Sequence, residues 1–316
     1  DLGLTRNPAA GTKGKMSEWT FITYPESEKS APIYLREERV RAYKYAMGTP
    51  IDVLFIVLPF GAVQEPALGV SLLKAAVEKE GFTSQVRYFN LDFAAKIGLD
   101  PYCEISHSLA ARSMLGDWVF SEAVFGDRIP AADDFIAHLK EDYSRWEDGI
   151  PYRAGFGRSR NLIHYLSEEL APQLVAARDV AAGFVSTCAQ EILNRRPRIV
   201  GFTTNGPQAC SCLAVAKRLK RRRPSPIIVF GGANCHREMG LQWLRLFPWI
   251  DYMCTGEGDE VFPRLVHRLL RGRDCGPVPG ILKQKESAEL TIPGLVTNLD
   301  RLPLPDYTDY FEQWEK

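Results

Sequence analysis

Arg198-Ile-Val-Gly-Phe-Thr203 followed by Thr204-Asn-Gly-Pro-Gln208, then Pro226-Ile-Ile-Val-Phe230 with Gly231-Gly-Ala-Asn234, then Ile250-Asp-Tyr-Met-Cys254 with Thr255-Gly-Glu-Gly-Asp-Glu260, decide the fold. The stretch reads as strand, loop and helix in repetition. Helical patterns run from Ala209 to Arg221 and, after Glu260, to Leu270. Short β-branched runs that alternate with helices predict parallel strands buried on both faces. In such sheets ligands bind beyond the carboxyl ends of the strands. Here those ends consist of Gly, Asn, Thr and acidic residues.

Upstream, Ile51-Asp-Val-Leu-Phe-Ile-Val-Leu58 predicts a first strand and Pro59–Pro66 its loop. A helix is expected over Ala67–Lys79, with Leu68, Leu72, Ala75 and Ala76 on one face. Gly81 stops it, and Gln85-Val-Arg-Tyr-Phe-Asn90 supplies a second strand, so the crossover is right-handed. From Leu91 to about Arg195 the apolar spacing is helical. Turn signals interrupt it at Gly116-Asp117, Gly126-Asp127, Ile129-Pro130, Gly149-Ile-Pro151 and Gly155-Phe-Gly157. A structureless loop of that length is uncommon, so an insertion of four or five helices is expected. Trp118, Phe120, Phe125, Phe135, Tyr143 and Trp146 are expected to pack its core, the alternative being a substrate-facing surface.

The prediction is an α/β fold with a doubly wound, five-stranded parallel sheet in the order 2-1-3-4-5 and a helical insertion between strands 2 and 3. A crevice then opens between the Pro59–Pro66 and Thr203–Gln208 loops, rimmed by Gly231–Asn234 and Gly256–Glu260. The expected division is 1–50, flexible lead and N-terminal extension; 51–92, first half of the binding domain; 93–195, insertion; 196–272, second half; 273–316, linker. Within the extension, Trp19–Tyr24 reads as a short strand, Leu35–Tyr45 as a helix, and Met16 as a candidate natural start. Within the linker, Val278–Lys283 is expected to pair with Leu290–Ile292 as a hairpin, and Leu302–Phe311 is Pro-rich and aromatic.

Lys+Arg and Asp+Glu both number 39 among 316 residues, which argues against a nucleic-acid partner. No apolar run reaches the roughly 20 residues of a membrane helix. The 7 cysteines show neither paired metal spacing nor a small disulfide framework, as in a reducing, cytoplasmic setting. Cys210-Ser-Cys212 reads as packing, because residues two apart on a helix do not face each other. His236 follows Asn234 and Cys235, but no second pair of ligands is spaced to complete a metal site. There is no Walker-type Gly-x-x-x-x-Gly-Lys-Ser/Thr, and no Ser/His/Asp set can be argued from spacing.

The rim residues point to binding. Gly231 and Gly232 allow close backbone approach, so a side chain at Gly232 is expected to block the ligand and leave the fold intact. Thr203, Thr204, Asn205 and Gln208 suit phosphate or amide groups at a helix N-terminus, or simple capping. Glu257, Asp259 and Glu260 suit a helix dipole without any ligand. The residues show a polar, backbone-rich crevice and no catalyst.

The order of Leu58-Pro-Phe60 through Pro66-Ala-Leu-Gly69, Gly116-Asp-Trp-Val-Phe120 with Phe125-Gly126, Pro197–Thr203, Phe230-Gly-Gly-Ala-Asn-Cys235, Glu238-Met-Gly240, Phe247-Pro248, Gly256-Glu-Gly-Asp259 and Leu302-Pro-Leu-Pro-Asp-Tyr307 resembles a known family. It is similar to the N-terminal cobalamin-binding domain of cobalamin-dependent radical SAM C-methyltransferases, in particular those that mature ribosomally made peptides. The resemblance runs from about Ile51 to the end. It implies a flavodoxin-like or Rossmann-like domain with a corrinoid over the strand ends and its nucleotide tail between the first and third strands. It also implies methyl transfer from S-adenosylmethionine, by way of cobalt, to an unactivated carbon of a precursor peptide. By position, the cofactor-binding residues would be Phe60, Gly61, Ala62, Val63 and Gln64; Thr203, Thr204, Asn205, Gly206 and Gln208; Gly231, Gly232, Ala233 and Asn234; and Gly256, Glu257, Gly258, Asp259 and Glu260.

The chain departs from the pattern. It lacks Asp-x-His-x-x-Gly, so no imidazole from the first loop is offered to cobalt. It lacks Cys-x-x-x-Cys-x-x-Cys, which would hold a [4Fe–4S] cluster with an iron open to S-adenosylmethionine. Those two cofactors are therefore expected only on a radical SAM barrel, in cis or in trans, that these residues do not contain. Gly206 and Pro207 stand where the family usually has an aromatic residue and a Gln. The other readings are a regulatory module of the same fold without a corrinoid, and a nucleotide-dependent transferase.

Overall fold

The computed structural model describes residues 51–107, 113–144, 165–272, 278–284 and 295–316. It begins with β1 (Val53–Val57), a run of β-branched and aromatic residues that is buried throughout. Helix α1 (Leu68–Lys79) follows and ends where the Gly81 N–H bonds the Glu78 carbonyl. Gly81 takes φ +80°, which favours glycine. Strand β2 (Ser84–Tyr88) completes the unit parallel to β1.

The insertion is helical, as its apolar spacing predicts. It comprises α2 (Phe89–Ile97), α3 (Leu99–His107), α4 (Leu115–Phe125), α5 (Ala132–Ser144) and, after a wide turn at Tyr165–Leu170, α6 (Ala171–Asn194). The alternation then resumes with β3 (Ile199–Thr203), α7 (Ala209–Lys220), β4 (Ile227–Gly231), α8 (Arg237–Leu246), β5 (Tyr252–Cys254) and α9 (Val261–Arg271).

The sheet has six strands in the order β2-β1-β3-β4-β5-β6. The first five are parallel, and β6 (Ile281–Lys283) runs antiparallel to β5. The expectation of a purely parallel, five-stranded sheet is thus corrected to a mixed one. Strand β6 pairs with β5 through Met253 and Leu282. The partner expected for it, Leu290–Ile292, lies outside the described residues. So do Trp19–Tyr24, Leu35–Tyr45 and the turn signals at 149–157, together with the rest of residues 1–50. Tyr143 and Trp146 lie outside the described side chains.

Both sheet faces are covered, which explains why the strands read as continuous apolar runs. Val53, Phe55 and Val57 face α1 and α9, against Val70, Val77, Phe262 and Leu265. Leu54, Ile56 and Leu58 face the insertion and α7, in one core with Phe93, Phe120 and Leu213. The insertion's aromatics belong to that core. Phe93 meets Phe120 at 5.1 Å and Phe184 at 4.7 Å, and Trp118 stacks on Phe135 at 4.5 Å.

The segment expected as a linker is packed where it is described. Helix α10 (Thr308–Trp314) lies along β2, the outer strand of the sheet. Asp309 Oδ2 accepts from the Val86 N–H at 2.7 Å. Gln313 accepts from the Tyr88 N–H at 3.0 Å and donates to the Val86 carbonyl at 2.9 Å. These side chains occupy backbone groups that an open edge would present to another strand.

Candidate functional site

The carboxyl ends of β1, β3, β4 and β5 converge on a crevice, and a cavity of about 230 Å³ descends from it. Its walls come from the sheet and from α1 and α9. Glycines line it at Gly69, Gly201, Gly231, Gly232, Gly256 and Gly258, and Phe55, Leu73 and Phe262 close its apolar side. No Lys or Arg lines it; the one charged group on its wall is Asp259. Burial raises the Asp259 carboxyl above its ordinary value, and the charges of Glu257 and Glu260 add to the shift. Cys254 also faces the cavity, its thiol pushed up to about 11 by burial.

Gly201 lets the Phe55 ring fold under β3. A Cβ there would sit 2.9 Å from a Phe55 ring carbon. Gly69, in the first turn of α1, has the opposite character: a Cβ would meet nothing within 4 Å. An isolated glycine inside a strand signals close approach, and Gly201 carried that signal in the sequence. Gly69, Phe55, Leu73 and Phe262 had none, since each fits an ordinary amphipathic helix or buried strand.

Of the residues expected at the site, Thr203, Asn205, Gly231, Gly232, Gly256, Gly258 and Asp259 line the cavity. Others join the loops to one another. Thr204 is buried and donates to the Gly231 carbonyl at 3.0 Å. Asn205 Oδ1 accepts from the Ala233 N–H at 2.8 Å. Asn234 donates to the Gly206 carbonyl at 2.8 Å. Gln208, also buried, donates to the Leu58 carbonyl at 2.7 Å and accepts from the Asn205 N–H at 3.0 Å. Glu257 accepts from the Val296 N–H at 2.6 Å. Glu260 precedes α9 and lies off the cavity wall.

The first loop differs from expectation. Phe60 and Val63 turn inward, 3% and 0% exposed. Phe60 packs against Tyr102 at 5.0 Å and against Phe93 at 5.7 Å. Gly61 and Ala62 can offer backbone, and Gln64 is exposed, its amide 3.1 Å from Cys103 Sγ. The expectation for Gly232 is also corrected. This residue has φ +100°, and a Cβ would lie 2.6 Å from the Thr204 carbonyl oxygen. A side chain there would displace the β3 loop itself, whatever the ligand.

Asp117, outside the expected set, braces the site from α4. Its carboxylate accepts from the Cys210 N–H at 2.8 Å at the start of α7, and burial raises its pKa to about 6. Beside it, Gly116 fits against Phe60 and Pro207, so the start of α4 wedges between the first and third strand loops. Among the described residues no group of three or more His, Cys, Asp or Glu is placed to hold a metal ion. Among them, too, no helix is long and apolar enough to cross a membrane.

No family profile matches the chain. Over 124 residues it is 30% identical to an uncharacterized methyltransferase of Pyrococcus horikoshii, a stretch that covers 39% of this chain and 27% of that protein. Among solved structures it is similar to the radical S-adenosylmethionine methyltransferase TsrM of Kitasatospora setae. With cobalamin and a [4Fe–4S] cluster bound, that structure aligns at TM-score 0.40 and 15% identity, covering 82% of this chain and 32% of TsrM. With tryptophan and a SAM analog bound, it aligns at TM-score 0.39 and 15% identity, covering 77% of this chain and 30% of TsrM. The chain therefore spans about a third or less of each protein it resembles.

Proposed function

We propose that this chain binds cobalamin and serves as the corrinoid domain of a radical SAM methyltransferase. The observation that carries the reading is the glycine-lined shaft beneath the crevice. Its volume of about 230 Å³ falls short of a whole drug-sized ligand and suits one heteroaromatic base with its sugar. Its lack of Lys and Arg suits a neutral group. The open crevice above leaves the larger part of such a ligand over the strand ends. Gly69, Leu73, Gly201, Gly231 and Phe262 would hold the tail, with Thr203, Asn205 and Ala233 near the rim. Bound cobalamin supplies a cobalt centre able to carry a methyl group; the chain's own residues orient the corrinoid and shield its tail from water.

The family resemblance and the methyltransferase relative support this reading. It extends to a partner barrel, in cis or in trans, that holds S-adenosylmethionine and the [4Fe–4S] cluster, and to an unactivated carbon of a ribosomally made peptide as methyl acceptor. The test is an absorbance titration of the purified chain with hydroxocobalamin, followed by desalting. Colour retained near one-to-one is expected. Complete loss of colour, from this chain and from a fusion to such a barrel alike, overturns the assignment. A fusion that holds both cofactors yet never methylates cobalt overturns the methyltransferase part alone.

A further inference from the structure

The loop after β1 is held by its carbonyl oxygens. The Leu58 carbonyl accepts from Gln208 at 2.7 Å, and that of Pro59 from the Ser211 hydroxyl. The Gly61 carbonyl accepts from the Tyr102 hydroxyl at 2.6 Å, and that of Ala62 from Asn90 Nδ2 at 2.7 Å. The Val63 carbonyl accepts from the Tyr310 hydroxyl at 2.7 Å. The donors come from separate segments, and all are buried; Asn90 and Tyr102 are 0% exposed and Tyr310 is 3%. Local packing needs no such convergence, because a surface loop satisfies its carbonyls with water.

In a planar trans peptide the N–H points opposite to the carbonyl. The N–H groups of Ala62, Val63 and Gln64 share peptide units with the carbonyls of Gly61, Ala62 and Val63. They are thus turned away from the side chains that anchor the loop. Among the described residues no acceptor meets any of these three N–H groups. Ala62 and Gln64 are exposed, and the loop adjoins the β3 loop, where the Phe60 N–H approaches the Pro207 carbonyl at 3.4 Å. Successive outward N–H groups form a concavity for oxygen acceptors.

We propose that the first loop binds its ligand through the backbone N–H groups of Ala62, Val63 and Gln64, a cradle for carboxamide or phosphate oxygens, with Tyr102, Asn90 and Tyr310 as positioning residues. The cradle stands on the geometry alone; assigning its occupant as the carboxamides of a corrin rim rests on the function proposed above. The inward Phe60 and Val63 side chains then follow from the loop's task, since they anchor a backbone that does the binding.

The test is amide hydrogen exchange over residues 60–67 of the full chain, alone and with cobinamide, hydroxocobalamin or inorganic phosphate. Cobinamide keeps the corrin carboxamides and lacks the nucleotide tail. The amides of Ala62, Val63 and Gln64 should exchange freely in the chain alone and become protected by both corrinoids. Tyr310→Phe and Tyr102→Phe should weaken cobinamide and hydroxocobalamin by the same factor, about 3–10-fold, as expected for loss of one supporting hydrogen bond. Exchange in β3 and β4 should not change, which a merely destabilised fold would not allow. Protection already present in the chain alone, or lack of protection in chain that retains corrinoid colour, overturns the cradle. Protection by phosphate with no binding of either corrinoid keeps the cradle and overturns the corrinoid reading. Failure of all three probes to protect these amides also overturns the cradle.

Discussion

The ammonium group of Lys74 in α1 lies 2.7 Å from a carboxylate oxygen of Asp309 in α10, and 3.1 Å from Asp306. The Lys74 side chain is only 4% exposed. A lysine in that position is tolerated because both acids come from the segment that wraps α1. Removing both, as in Asp306→Ala with Asp309→Ala, leaves a buried unpaired charge and should cost about 3–5 kcal/mol. Lys74→Met should cost less, because the two acids left behind can reach water. Urea unfolding of the two variants checks the order; equal losses would mean that the pair acts only through packing.

Asp306 also sets an acid limit. Burial alone would raise its carboxyl, but hydrogen bonds from Thr308 and the charge of Lys74 outweigh burial and hold it at about 2. Its folded pKa lies below the ordinary value of about 4. Its stabilisation is therefore complete above about pH 4 and is lost as pH falls toward about 2. Asp306→Asn should flatten the stability profile in that window and lower stability at neutral pH. An unchanged acid limb in a pH series of urea midpoints would contradict the ion pair.

Asp117 works in the opposite direction. Burial raises its carboxyl to about 6, despite the N–H of Cys210. The unfolded chain then releases this proton more readily than the folded one. Stability should fall as pH rises from about 4 through about 6, by about 2–3 kcal/mol. Asp117→Asn keeps an oxygen for the Cys210 N–H and removes the charge, so its profile should be level across that interval. Thermal unfolding at several pH values between these limits checks it.

Much of this arrangement was legible in the sequence because strands and helices leave periodic signals. Ile199–Thr203 and Ile227–Gly231 form strands close to where β-branched residues crowd. The sixth strand escaped because Ile281–Lys283 has three residues among Gly and Pro and takes its identity from the β5 edge. The loop polar residues were legible as a set but not in their roles. Thr204, Gln208 and Asn234 bond neighbouring loops, and a distance between loops is not encoded in any local pattern. Phe60 fell to the same difficulty: its partners Phe93 and Tyr102 come from the insertion, far along the chain. Leu302–Phe311 read as a linker because Pro-rich, aromatic composition does not reveal that Tyr310 is buried against the domain.

Gly69 offers the cleanest test of the shaft. It lies in α1 at the cavity wall, and an added Cβ would meet nothing within 4 Å. Gly69→Leu therefore introduces a side chain into open space without a clash, unlike a substitution at Gly232. In a helix, Leu is favoured over Gly by up to about 1 kcal/mol, so the melting temperature should hold or rise. If the shaft takes the nucleotide tail, Gly69→Leu should abolish retention of hydroxocobalamin and spare cobinamide, which has no tail to insert. Loss of both ligands in a folded variant would place the corrin itself against α1. Unaltered binding of both would show that the tail lies elsewhere, with the shaft left to another ligand. Side-by-side absorbance titrations and melting curves of the wild-type chain and the variant separate these outcomes.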